Sequence, residues 1–289
     1  MTATALERAR ATARRLCPKV VFPEQDAPRI KSACAALEKE GYCQTLDLDD
    51  MSDVLIEIMM TARDLSEAMA RRMLAKPLIR AAAMVAAGRA DVMVAGAESP
   101  TRRVIEAAGL AIGLAEDVAL PSSIFYMLFP GGREFVFADC AVNVAPSAAE
   151  LADIARCSAR SAKALLGEAR VALLSFSTGH SGAGDSVDQV RAAALATGLA
   201  GPVQADAALN AAIAASKGIA PIDANTLIFP SLDAGNIAYK LCQELVGAQA
   251  VGPLLQGFRK PVCDLSRGAS VEDILAATVL TIAMAAKDA

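Results

Sequence analysis

Along this chain, short apolar runs alternate with longer stretches in which apolar residues recur every three or four positions. "KVVF" (19–22) reads as a buried strand ended by Pro23 and Glu24. Beyond it, Ile30, Ala33, Cys34 and Leu37 mark one face of a helix that Asp26 is placed to cap. A helical stretch around Leu65, divided in two by Pro77, leads to the strand "DVMVAG", where Gly96 permits a tight exit. "SSIFYMLFPGGREFVF" (122–137) has the form of a hairpin turning at Gly131 and Gly132. Ser147 and Glu150 make a capping box for a helix lined by Leu151, Ile154, Ala155 and Leu165 and stopped by Gly167. "RVALLSFS", "NTLIFP" and "AQAVGP" are three further strand-like runs, each followed by a loop rich in Gly, Asp or Ser. Strands alternating with helices predict an α/β protein with a mostly parallel sheet, so ligands are expected at the carboxyl ends of the strands.

Composition narrows this picture. Apolar residues are 54% of 289, but no uninterrupted apolar run reaches the roughly 20 residues of a membrane span, and no membrane association is expected. The basic, Ala-rich start has no continuous apolar segment and reads as a first amphipathic helix, not a secretory signal. Seven scattered cysteines without a CxxC pair predict reduced thiols in the cytoplasm, and neither a disulfide framework nor a metal site. A net charge of −4 and the absence of Trp give no support to a nucleic-acid surface.

Three loops carry candidate chemistry. In "SFSTGHSGAGDS", Gly179, Gly182 and Gly184 would let backbone N–H groups approach a ligand, and Ser177, Thr178 and Ser181 add hydroxyls, a combination that suits an oxyanion. A plain surface loop explains the same residues equally well. His180, the single histidine, lies here without partners in sequence, so no Ser-His-Asp or Cys-His arrangement is argued from it. In "IFPSLDAGNIAYKL", Asp233, Asn236, Tyr239 and Lys240 gather between a strand and a helix opened by Gly235. In "DLSRGASVEDIL", Ser270 and Asp273 have the spacing of a capping pair, but Ser266 and Arg267 have no duty in that cap. An Arg fork beside a hydroxyl suits phosphate oxygens, which makes this segment an anion site near a helix start.

The chain resembles the phosphotransacetylase family of phosphate acyltransferases. The likeness runs from "VVFPEQDAPRIKSACAALEKEG" through "DVMVAGAESPT", "FADCAVNVAPSAAELADIA" and "VALLSFSTGHSGAGDSVDQVR" to "ANTLIFPSLDAGNIAYKL" and "GPLLQGFRKPVCDLSRGASVEDI". It implies two α/β/α domains with mostly parallel sheets, like those of isocitrate and isopropylmalate dehydrogenases, with substrates in a cleft between them. It places 1–117 with 256–289 in the first domain and 118–255 in the second, in a subunit that pairs as a homodimer. The implied activity is reversible transfer of an acetyl group between acetyl phosphate and coenzyme A, the latter a substrate, with no cofactor or metal. Carried over on "DLSRG" and the following acid, Ser266, Arg267 and Asp273 are the implied catalytic residues. Asp273 takes the thiol proton, Arg267 stabilises phosphate and oxyanion charge, and Ser266 positions an oxygen. Ser177, Thr178, Ser181, Asp233, Asn236, Tyr239 and Lys240 are the implied substrate-binding residues. The chain departs from the family pattern at Glu106, where an Arg is usual, and a second family Arg has only Arg63 as a nearby counterpart. Two alternatives stay open: the same transfer on a longer acyl chain, as in phosphate butyryltransferases, and a member that has lost turnover and keeps a binding role.

Overall fold

The computed structural model describes residues 3–49 and 51–286. The chain forms two compact units, one running through Asp117 and resuming at Gly252, the other Val118–Val251. The return to the first unit thus falls at Gly252, where the resemblance gave 256.

The first unit opens with α1 (Ala5–Leu16), held by a capping box between Thr4 and Glu7, then β1 (Lys19–Val21), α2 (Pro28–Lys39) and β2 (Gln44–Leu46). The predicted Asp26 cap is not formed. Ala27 is the N-cap of α2 without a side-chain bond, and Asp26 lies exposed, 3.7 Å from Lys31. Pro28 at the first helical position makes the cap dispensable, because its fixed φ already suits a helix and it has no N–H to satisfy. Between Leu65 and the next strand lie two helices, α4 (Glu67–Leu74) and α5 (Pro77–Ala86), preceded by α3 (Asp53–Arg63), which the pattern did not separate. Pro77 starts α5 as expected; upstream, Asp64 ends α3 by adopting left-handed backbone (φ 51°), and Ser66 then caps α4 by accepting from Met69 N. β3 (Val92–Ala95) and α6 (Thr101–Ala111) come next.

In this unit β2, β1, β3 and β10 (Val262–Asp264) lie side by side and parallel, and β9 (Gln249–Gln256), the strand on which the chain re-enters the unit, pairs antiparallel to β10 through Leu254 and Cys263. β1 and β3 bury nearly every side chain, as a sheet covered on both faces requires. The last helix, α12 (Val271–Ala285), packs on α1 and α2.

The second unit begins with the predicted hairpin, β4 (Ser122–Leu128) and β5 (Glu134–Ala138), with Phe125 opposite Phe137 and both Gly131 and Gly132 at positive φ. α7 (Ala148–Leu166) has the Ser147–Glu150 capping box and ends at Gly167 in left-handed backbone, as its sequence dictates. β6 (Val171–Leu174), α8 (Asp185–Thr197), β7 (Ala200–Val203), the short helices α9 (Ala205–Leu209) and α10 (Ala211–Ser216), β8 (Thr226–Ile228) and α11 (Leu232–Val246) complete it. Its strand order is β4-β5-β8-β6-β7, parallel from β5 onward.

Gly235 does not open α11. Ser231 caps that helix by accepting from Ala234 N, and Gly235 lies buried inside the first turn against the end of β5. A Cβ there would stand 2.5 Å from Asp139 O and 2.9 Å from Cys140 Sγ. The backbone oxygen cannot rotate away, so a side chain would push α11 off the sheet. Gly235→Ala should therefore destabilise the protein by about 2 kcal/mol. A calorimetric unfolding midpoint unchanged by the substitution would contradict this packing.

Candidate functional site

β10 runs parallel to β3 and ends at Asp264 opposite Ala95, with Leu265 N donating to Ala95 O at 2.6 Å. The chain then turns through Ser266, Arg267 and Gly268, closed by Ala269 N donating to Ser266 O at 2.9 Å, and Ser270 caps α12. The side chains of Ser266 and Arg267 are exposed on this turn at the carboxyl end of the strand, where an open parallel sheet presents ligands.

The turn is anchored by residues that the sequence analysis did not single out. Arg29 on α2 donates from Nη1 to Arg267 O (2.9 Å) and Ala269 O (2.8 Å), and from Nη2 to Ala97 O (3.2 Å) and Glu98 Oε1 (3.0 Å). One planar guanidinium thereby ties the turn after β10 to the loop after β3. Glu24, just after β1, fixes the same loop from the other polarity, accepting from Ala97 N (2.8 Å) and Ser99 N (2.7 Å). The backbone around Arg267 is held while its side chain stays available.

Asp264 lies beneath this turn with no exposed surface. Its Oδ2 accepts from Thr101 Oγ1 at 2.5 Å, but its Oδ1 has no hydrogen-bond partner among the described residues. Oδ1 faces Gly96, where a Cβ would come within 2.4 Å of it. Burial raises its carboxyl to about 7. The bond from Thr101 and the charge of Arg267 oppose that shift, and the charge of Glu24 adds to it.

Asp273 is the third residue of α12 and completes a capping box. Its Oδ2 accepts from both the N–H and the hydroxyl of Ser270 at 2.9 Å, and its own N–H donates to Ser270 Oγ at 3.1 Å. The predicted trio therefore occupies one continuous turn and helix start, with Ser266 and Arg267 exposed and Asp273 half-buried.

The other predicted residues belong to the second unit. The loop after β6 is folded on itself: Ser177 Oγ accepts from Gly182 N (2.8 Å), Ser181 Oγ accepts from Thr178 N (2.9 Å), and Thr178 Oγ1 donates to Gln204 Oε1 (3.1 Å). Ser177 and Thr178 are buried, Ser181 and His180 exposed. A Cβ at Gly182 would meet the exposed ring of Phe176 at 2.9 Å, so that ring would have to turn aside for a side chain there. On α11, Asn236 Nδ2 donates to Cys140 O (3.0 Å), and Tyr239 stacks on Phe125 with ring centroids 4.2 Å apart. Lys240 lies over the outer face of Tyr239, and Asp233 is exposed in the first turn. Asn236 and Tyr239 thus have structural duties; Asp233 and Lys240 present charge to solvent.

Glu106 pairs with Arg102 one turn away at 2.8 Å, and Arg63 donates to the carbonyls of Gly109 and Leu110 at the end of α6. A hollow of about 410 Å³, lined by Gln25, Asp26, Lys31, Cys34, Glu38 and Asp47 among others, includes none of the predicted site residues.

The comparisons with known proteins agree with one another. A family model described as phosphate acetyl/butaryl transferase matches residues 43–282. The phosphate acetyltransferase of Nitrosomonas europaea is 45% identical over 280 residues, which is 92% of this chain and 40% of that protein. That of Escherichia coli is 35% identical over 318 residues, 95% of this chain and 44% of its own. The chain thus spans less than half the length of these two relatives. The phosphate acetyltransferase of Treponema pallidum is 45% identical over 240 residues, 76% of this chain and 71% of its own length. Among solved structures, a phosphotransacetylase from Streptococcus pyogenes superposes with a TM-score of 0.89 at 33% identity, covering 99% of both chains. The EutD phosphotransacetylase from Staphylococcus aureus does so with 0.87 at 31% identity, covering 97% of this chain and 99% of its own.

The capping bonds of Asp273 separate its structural part from any chemical one. Asp273→Ala should cost up to about 1 kcal/mol of stability by removing the carboxylate half of the capping box, while Asp273→Asn retains an acceptor oxygen and should cost less. If the carboxylate also serves chemistry, the two variants should lose turnover alike despite unequal melting temperatures. Turnover that tracks stability across both variants would restrict Asp273 to capping.

Proposed function

The chain belongs to the phosphate acetyl/butaryl transferase family, and on that premise we propose that it is a phosphate acetyltransferase, exchanging an acetyl group between acetyl phosphate and coenzyme A. The observation that carries this reading is the turn after β10: an exposed hydroxyl and guanidinium at the carboxyl end of a parallel strand, on backbone clamped by Arg29, and followed directly by an acid at a helix start.

The reaction needs three things of the protein: a base for the thiol, a cation for the phosphate, and a fixed geometry between the two reactants. Both cap bonds of Asp273 fall on Oδ2, and Oδ1 is the oxygen we assign to the thiol proton. The thiolate sulfur attacks the acyl carbon, the carbonyl becomes an oxyanion, and collapse of that intermediate breaks the bond to the bridging oxygen. The thioester forms, inorganic phosphate leaves, and the proton remains on the base. Arg267 holds two oxygens of the phosphate through its planar fork and stabilises charge developing on them, and Ser266 donates to a third. No electrons change hands, so coenzyme A enters as a substrate and the exchange calls for no redox cofactor.

The same reading includes a homodimer and a cytoplasmic setting. Seven cysteines with no disulfide among them suit a reducing compartment, and among the described residues no helix is long and apolar enough to cross a membrane. On α11, Ile237, Leu241 and Leu245 repeat at four-residue intervals and are 57%, 51% and 76% exposed. Lys240 and Glu244, also exposed, flank this stripe four residues apart. A two-fold axis across an antiparallel pair of these helices would join the stripes and set each Lys240 near the partner's Glu244. Such self-complementarity supports a second copy as the occupant of that face.

An assay of acetyl-CoA formation from acetyl phosphate and coenzyme A, with propionyl and butyryl phosphate alongside, tests the activity. The expected order is acetyl first. A faster rate on butyryl phosphate would reassign the acyl chain, and no turnover on any of them would sink the reading. Arg267→Ala should lower kcat/KM by roughly 100- to 1000-fold without lowering the melting temperature, since its side chain bears no fold contact of note. Leu241→Asp should convert the dimer to a monomer in sedimentation; an unchanged dimer would mean that α11 is not the interface.

A further inference from the structure

Among the described groups, one buried carboxyl at the site has no part in the mechanism above: Asp264. It lies beneath the turn that carries Ser266 and Arg267, its Oδ2 tied to Thr101 and its Oδ1 without a partner. Its surroundings are few and distinct. From the segment after β1 comes Glu24, a like charge; from its own turn comes Arg267, an opposite one. α6 contributes the hydroxyl of Thr101. β3 contributes the bare backbone of Gly96, β9 the apolar Leu254 opposite Cys263, and α12 the hydroxyl of Thr281 against the Cys263 thiol. That thiol is pushed up to about 12 by burial and stays uncharged. Asp264 and Arg267 therefore sense one another with Glu24 as a second charged neighbour, while α2 contributes the Arg29 cation, bonded to the carbonyls of Ala97 and Arg267.

We infer that Asp264 is a positioning residue of the site, a buried carboxyl whose charge sets how much of the Arg267 cation is open to an anionic substrate. The inference rests on the reading of Ser266 and Arg267 as the acyl-phosphate site. Protonated, Asp264 is neutral and leaves the field of Arg267 to the ligand. Ionised, it attracts that cation and repels an anion from below. Burial places the change at about 7, within the physiological range. The coupling is reciprocal: a bound acyl phosphate must in turn favour the protonated carboxyl, so binding at pH values from about 7 upward, until the raised value in the complex is passed, takes up a proton. Gly96 matters to this arrangement because any side chain there would drive Oδ1 from its place.

Calorimetric binding of acetyl phosphate without coenzyme A tests the inference apart from catalysis. Between about pH 6 and about pH 8 the affinity of the wild-type protein should fall at least about fivefold, while Asp264→Asn should bind with little change over the same range. Using both proteins over one range removes the titration of the ligand itself. Thr101→Val, which deletes the donor that holds Asp264 ionised, should move the wild-type inflection to higher pH, and it serves alone if the Asn variant fails to fold. Equal pH dependence in wild type and Asp264→Asn, an unmoved inflection in Thr101→Val, or no binding of acetyl phosphate at all would overturn the inference. Binding with the expected pH dependence but no acetyl-CoA on adding coenzyme A would sink the acyl-transfer reading and leave the role of Asp264 standing.

Discussion

The parallel pairing of β10 with β3 places a carboxylate in the interior, beside backbone that tolerates no side chain. Asp264 sits across from Ala95, and Gly96 comes next with φ of +102° and no space for a Cβ. Burying an acid is unfavourable unless it is neutral, paired or both. Here Thr101 satisfies one oxygen and burial keeps the proton bound into the neutral range. The chain beyond Asp264 is constrained accordingly: it leaves the sheet as a tight turn, whose backbone Arg29 then captures.

Arg29 shows how a site can be rigid without its reactive side chains being occupied. All but one of its four acceptors are backbone carbonyls, two in the turn after β10 and one in the loop after β3, with Glu98 as the fourth. Ordering a loop costs roughly 1–2 kcal/mol of backbone entropy per residue. Charge-assisted bonds to carbonyls and the Glu24 bonds to the loop amides offset that cost before any ligand arrives. The guanidinium of Arg267 itself takes no part in this framework, so the fold does not depend on the group that the chemistry would use.

Much of the scaffold was legible because its signals are local. Ser147, Glu150 and Gly167 dictate both ends of α7, and the hairpin results from two apolar runs around Gly131 and Gly132. Strands β2, β7 and β10 were not read from the pattern. Each has only three or four residues; β2 and β7 lie at the ends of their strand orders with mixed burial, and β10 hides a buried Asp at its end. Ser266 and Arg267 stood out because the cap left them unexplained, and the family likeness gave them a role. Asp264, Arg29 and Glu24 escaped notice because their significance is long-range. Arg29 reads as a solvated helix residue until the chain brings positions 97 and 267 beside it. An acid closing an apolar strand run, as in "PVCD", was the one signal available for Asp264.

The bonding of Asp273 also bears on how structural and chemical duties can share a residue. A capping carboxylate is usually read as structure alone, and the Ser270–Asp273 box is complete in that sense. Yet both donors of the box converge on Oδ2, and a carboxylate has two oxygens, each with its own lone pairs. The cap restrains the side chain through Oδ2 and leaves Oδ1 outside these bonds, which would suit the proposed base, since a base must meet its thiol at a defined place. In an exchange that runs in both directions the same group must take the proton and give it back, and an oxygen held at a fixed place serves each direction. On the proposed reading, the helix start is not a competitor of the chemistry but the device that would orient it.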